Sequence, residues 1–116
     1  MSAASESTIW IGDVDALEYE DVNGLTQAPV DFHGARVRVI RYAAGTKIAM
    51  HRHTKKTLKV ILRGKMSFEG VDGPLGEVSE RGIYVCGMGI YRADVLEDTV
   101  MLLVEEPDSE RVAIDA

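Results

Sequence analysis

Residues 36–69, RVRVIRYAAGTKIAMHRHTKKTLKVILRGKMSFE, decide the fold. Arg36–Tyr42 alternates charged and β-branched side chains, the pattern of a strand with one buried face. Ala44-Gly45 turns it into Thr46–His53. Thr54-Lys55-Lys56 is a polar break, after which Thr57–Leu62 reads as another strand. Lys65–Glu69 follows at once, so Arg63-Gly64 reads as a tight hairpin turn.

Outward from this stretch the pattern continues. Asp72-Gly73-Pro74 and Leu75-Gly76 mark a turn region. Ile83–Cys86, Tyr91–Val95 and Thr99–Val104 read as strands. Seven or eight short strands at a spacing of about ten residues indicate an all-β sandwich or barrel. The one helix candidate is Val14–Val22. The strand pattern does not by itself choose between a jelly roll and an immunoglobulin-like sandwich, although no Cys/Trp/Cys pattern supports the latter. The expected organisation is a loose N-terminus over residues 1–8, a single barrel over 9–107 and an acidic tail over 108–116, either a short strand or a loose end.

The totals narrow the class. A chain of 116 residues suits one domain, and 46% apolar residues can fill a core. The formal charge of −6 argues against nucleic acid as a partner. One cysteine, Cys86, excludes an internal disulfide and fits a reducing compartment. Residues 1–8 lack the basic and apolar regions of a secretory signal, and no apolar run could cross a bilayer as a helix. A soluble cytoplasmic protein without a membrane partner is expected. The apolar triplet Ile9-Trp10-Ile11 lies outside the main strands, and a homodimer using it is expected.

The chemistry concentrates at His51-Arg52-His53. On a strand, residues i and i+2 share a face, so the two imidazoles can reach one ion between them. The plainer reading is two histidines that lie together on an exposed strand.

Gly45–Gly64 resembles the first motif of the cupin superfamily: a glycine, five residues, His-x-His, a short gap, a glutamate, six residues and a glycine. Here the pattern reads Gly45, His51, His53, Thr57 and Gly64. The run Gly82-Ile83-Tyr84-Val85-Cys86-Gly87-Met88-Gly89-Ile90-Tyr91-Arg92 is similar to a degraded second motif. The resemblance covers roughly Arg36–Val104 and implies a jelly-roll β-barrel, the double-stranded β-helix, often dimeric. It also implies a site in the barrel. In that family three histidines and a glutamate usually hold a divalent metal. Thr57 stands where the glutamate belongs, and Arg92 or Tyr91 stands where the third histidine belongs. The metal expectation is therefore reduced to one divalent transition ion (Fe, Zn, Ni or Mn) on His51 and His53. His33 is a further ligand candidate; otherwise it is a loop histidine beside a turn glycine.

Lys59 has the parity of Thr57 and should face the barrel with it, unless a bulge turns it into solvent. An inward lysine requires an acidic partner or an anionic ligand. Cys86, in an apolar strand, reads as a buried structural thiol. On Arg36–Tyr42, Arg36 and Arg38 share one face, Arg41 with Val37 and Val39 forms the other, and one set should be solvated. Arg52, Lys55, Lys56 and Arg63 should decorate the rim, a patch suited to steering small anions rather than gripping nucleic acid.

These readings point to a small cupin enzyme acting on an oxygenated or carboxylate-bearing molecule, of dioxygenase, isomerase, lyase or cyclase type. His51, His53 and Lys59 are the catalytic candidates, and Thr57, Tyr91 and Arg92 the ligand-binding ones. The alternatives are a non-catalytic ligand-binding or sensor module and, third, a structural domain with a filled barrel.

Overall fold

The computed structural model describes residues 12–22, 25–32, 34–87 and 89–114. Its strands are β1 (Glu20–Val22), β2 (Leu25–Phe32), β3 (Ala35–Tyr42), β4 (Lys47–His53), β5 (Thr57–Arg63), β6 (Lys65–Gly70), β7 (Gly73–Ser79), β8 (Ile83–Cys86), β9 (Tyr91–Val95), β10 (Thr99–Glu105) and β11 (Arg111–Ala113). They form two antiparallel sheets, one ordered β1-β2-β3-β10-β5-β8 and the other β11-β4-β9-β6-β7. An apolar core lies between the two sheets. Ile61 and Met101 of the first sheet meet Met66, Phe68, Tyr91, Ala93 and Val95 of the second. This is the two-sheet arrangement of a jelly roll.

The Arg63-Gly64 turn is not the hairpin expected: β5 and β6 belong to different sheets and do not pair, and the turn carries the chain from one sheet to the other. Gly64 has φ of +100°, and a Cβ there would strike the Thr99 hydroxyl and backbone. Only glycine meets both conditions without a shift.

The structure departs from the sequence reading at four further places. Val14–Val22 is not a helix: Val14–Ala16 makes one 3-10 turn capped by the Asp13 carboxylate, Leu17 is extended, and Glu20–Val22 is β1. The turn signals at 72–76 fall partly inside β7, where only Val71 and Asp72 make the turn. Gly73 and Gly76 both have positive φ, so the glycines bend a strand rather than end it. The strand β2 had no sequence signal, because Thr26, Gln27, Pro29 and Asp31 hide its alternation. Past Gln27 it has β3 on one side only, an edge position that tolerates Pro29. The fourth departure is the tail. Arg111–Ala113 pairs with His51–His53, so the barrel runs past residue 107.

Residues 1–8, the triplet Ile9-Trp10-Ile11 and His33 lie outside the described residues. Among the described residues no helix is long and apolar enough to cross a membrane.

Candidate functional site

Three strands from the two sheets bring the central side chains together. On β4 an irregularity in pairing with β9 falls between Ile48 and His51, so Ile48 opposes Ala93 and His51 opposes Tyr91. The extra residue turns Ile48, His51 and His53 all inward. On β5, Thr57, Lys59 and Ile61 are buried in strict alternation. The bulge against β10 lies beyond Ile61, so Lys59 keeps the parity of Thr57. On β9, Tyr91 and Ala93 face inward.

Lys59 is 6% exposed, and its ammonium has three polar partners. It donates to the Tyr91 hydroxyl at 2.7 Å, approaches His53 Nε2 at 3.4 Å and reaches Cys86 Sγ at 3.7 Å. Among the described residues it makes no salt bridge. Tyr91 in turn can donate to His53 Nε2, 3.3 Å away. His51 Nδ1 lies 2.7 Å from the Ala49 carbonyl. A carbonyl only accepts, so Nδ1 carries the proton and neutral His51 keeps its lone pair on Nε2. The two imidazoles stand edge to face with centroids 5.0 Å apart, and His51 packs on Tyr91 at 4.5 Å.

Burial dominates the electrostatics. It pushes the His53 imidazole down to about 3, with Lys59, His51, Arg111 and Arg38 adding repulsion. His51 is lowered for the same first reason. Burial lowers the Lys59 ammonium too, against smaller opposing effects from Cys86 and Glu105. Tyr91 and Tyr84 are raised by burial and stay protonated at neutral pH.

These groups line a cavity of about 910 Å³. Its basic wall residues are Arg36, Arg38, Arg41, Lys47, Lys59 and Arg111; its acidic ones are Glu105 and Glu110. Lys47 pairs with Asp94 and Arg41 with Asp15. Arg36 and Arg38 share one carboxylate, Glu105, at 2.7 and 2.8 Å. Lys59 and Arg111 are left without a carboxylate among the described residues. Arg38 Nε and Ser109 Oγ, of residues on the same wall, are buried without a hydrogen-bond partner. A second cavity of about 580 Å³ lies at the β6–β7 hairpin, lined mostly by glycine and apolar residues. The two share Phe68, Tyr84 and Tyr91, and the ionisable chemistry belongs to the larger.

Several sequence candidates move. Arg92 faces outward and binds Glu69 at 2.6 Å, because strand parity gives the inward place to Tyr91. Tyr91 therefore stands where the third histidine of the cupin pattern would be. Thr57 is 1% exposed with an unpartnered hydroxyl, but it does not line the main cavity. Cys86 is only half-buried and touches Lys59. Arg36 and Arg38 turn inward rather than forming a solvated face. Their shared parity with Ile40 and Tyr42 was the available signal. Glu105 and Arg111 were missed, the latter because the tail was cut from the barrel.

The donor set is short of the four ligands of the cupin pattern. Among the described residues no group of three or more His, Cys, Asp or Glu side chains could hold a metal ion. The Lys59 nitrogen also crowds His53 Nε2, the lone pair such an ion would need.

No family model matches the chain, and no curated protein matches it. Solved structures do. A chain in the structure of Rhodobacter sphaeroides SigE in complex with the anti-sigma ChrR shares 18% identity at a TM-score of 0.68, over 81% of this chain and 52% of that one. This chain thus spans about half the length of that relative. A sugar phosphate isomerase from a cupin superfamily, of Silicibacter pomeroyi, is 13% identical at a TM-score of 0.70, covering 90% and 81%. The polyketide cyclase RemF from Streptomyces resistomycificus is 15% identical at 0.72, covering 94% and 87%. Identities this low speak for the fold alone.

Proposed function

We propose that this chain, which has the cupin double-stranded β-helix fold, takes a small carboxylate-bearing molecule into its barrel and moves a proton on it. The carrying observation is the charge of the cavity. In a chain of formal charge −6, the barrel wall holds Lys59 and Arg111 with no carboxylate of their own among the described residues. Arg38 Nε adds an unmatched donor. Lys59 is a buried cation without an anionic partner, which is unfavourable, and an anion relieves that cost; Arg111, exposed on the cavity wall, adds positive charge beside it.

His51 and His53 are neutral bases: His51 keeps its lone pair on Nε2, and His53 Nε2 accepts beside Tyr91 and Lys59. An enolate formed beside Lys59 and Tyr91 would be held by their N–H and O–H groups. This favours isomerase, lyase or cyclase chemistry at a carbon next to a carbonyl. The second reading, a ligand-binding or sensor module without turnover, has one observation in its favour: at about 3, His53 is a weak base before a ligand arrives. Turnover of an isotopically labelled acid separates the two.

The binding half is tested by thermal shift with small organic acids against their amides and esters. Acids should stabilise the wild type, and Lys59→Met and Arg111→Met should lose that effect. Arg92→Met should retain it, since Arg92 lies outside the barrel. Equal shifts from acids and neutral analogues would overturn the reading.

A further inference from the structure

We infer that Lys59 is a nucleophile whose Nζ, beside the Tyr91 hydroxyl and His53, condenses with the carbonyl carbon of a bound oxo acid to form an imine. The inference rests on the anion-cavity reading and names its substrate class, a small acid carrying an aldehyde or ketone.

Three features of the geometry carry it. First, Lys59 lines the cavity where the ligand would sit. Second, its polar partners, Tyr91, His53 and Cys86, include no carboxylate, so nothing anionic pins it as an ammonium. The groups around it are His51 and His53 on β4, Tyr91 on β9, Tyr84 and Cys86 on β8, Arg38 on β3, Glu105 on β10 and Arg111 on β11. The one carboxylate among them, Glu105, already binds Arg36 and Arg38. Burial disfavours the ammonium further, which enlarges the free-amine fraction. Third, a proton carrier touches the nitrogen: Tyr91 O lies 2.7 Å from Nζ.

The step balances without an oxidant. The Nζ lone pair forms the C–N bond while the carbonyl π pair moves to oxygen, which takes a proton. The nitrogen loses one proton to give a carbinolamine. Tyr91 gives its proton to the departing hydroxyl and recovers one from nitrogen. The C–O bond then breaks, water leaves, and the C=N bond remains. Such an imine, protonated at nitrogen by Tyr91, would withdraw electrons from the neighbouring carbon, from which His53 could then take a proton.

The test uses pyruvate, a 2-oxo acid, and L-lactate, its alcohol. Wild-type protein is incubated with pyruvate, reduced with sodium borohydride and mapped by peptide mass. An adduct should form on Lys59 well ahead of Lys47, Lys55, Lys56 and Lys65. Lys59→Arg should lose that adduct. Tyr91→Phe, which keeps the amine, should slow it on the order of a hundred-fold. L-lactate should raise the melting temperature and compete without labelling. If both acids raise it but Lys59 stays unlabelled, or labels no faster than the other lysines, the imine is wrong and the anion site stands. If neither acid binds and Lys59 is unlabelled, both are wrong. Labelling of Lys59 with no protection by lactate keeps the imine and removes the carboxylate reading.

Discussion

Lys59 on β5 and Tyr91 on β9 join the two sheets through a 2.7 Å hydrogen bond in the middle of the barrel. The bond links a buried cation to a neutral phenol, not to a carboxylate. It satisfies the geometry of the ammonium without offsetting its charge.

Lys59→Met should therefore stabilise the protein. Methionine fills similar space and removes a charge whose desolvation neutral partners do not repay. A gain of about 1 kcal/mol is expected, together with loss of acid-induced thermal shifts. Chemical denaturation measures the first and a ligand screen the second. A variant both less stable and unchanged in ligand response would contradict this account of Lys59.

Glu105 is the opposite case. Its side chain is 3% exposed and its carboxylate is shared by Arg36 and Arg38, while Arg36 also donates to the Ser109 carbonyl ahead of β11. Glu105→Gln leaves two guanidinium groups without their counter-charge. The cost should lie near the lower end for a broken buried pair, about 3 kcal/mol, because Arg36 is 40% exposed and water screens its share. Denaturant unfolding checks it. A loss too small to resolve would mean that water, not Glu105, balances these arginines.

Much of this site was legible in the sequence. His51 and His53 follow from their spacing, and the parity of Lys59 with Thr57 needs only an unbulged strand. The irregularity at Ala49–Met50 leaves no sequence trace, so the inward turn of Ile48 with His51 could not be read. Arg92 went wrong for a related reason. A degraded motif fixes which residues are near the site, but not which of two neighbours points inward. Arg38 and Glu105 were hidden because charges on a strand are normally its solvated face. A pair that neutralises itself across β3 and β10, Leu103 opposite Arg38 and Glu105 opposite Arg36, requires knowing that these strands are neighbours. Arg111 requires the same knowledge of β11 and β4.

Stability should fall as the solution is acidified from near pH 6.5. His53 titrates near 3 when folded and at its ordinary 6.5 when unfolded. Between those values the unfolded chain binds more protons, so stability rises with pH across the window and is progressively lost below it. His51 is lowered in the same direction and adds to the slope. Denaturation midpoints from pH 4 to pH 7.5 should show the fall, and His53→Gln should flatten it while leaving the His51 share. A pH-independent midpoint in the wild type would show that neither imidazole resists protonation.

Anion binding should take up protons. After burial, the causes that hold His53 low are the charges of Lys59, His51, Arg111 and Arg38. A carboxylate among them offsets their repulsion and favours the imidazolium, so the His53 value climbs from about 3 toward 6.5 on binding. The complex then holds more protons than the free protein at any pH between the free and bound values. By linkage, affinity for the acid weakens as pH rises through that interval, although the acid itself remains ionised. Calorimetry at pH 5 in buffers of different ionisation enthalpy gives the proton count directly. Uptake of up to one proton is expected in the wild type and a clear reduction in His53→Gln. Arg92→Met, altered only outside the barrel, should match the wild type. Binding with no uptake at pH 5, or with release, would place the carboxylate away from His53, and the base in this barrel would have to be sought elsewhere.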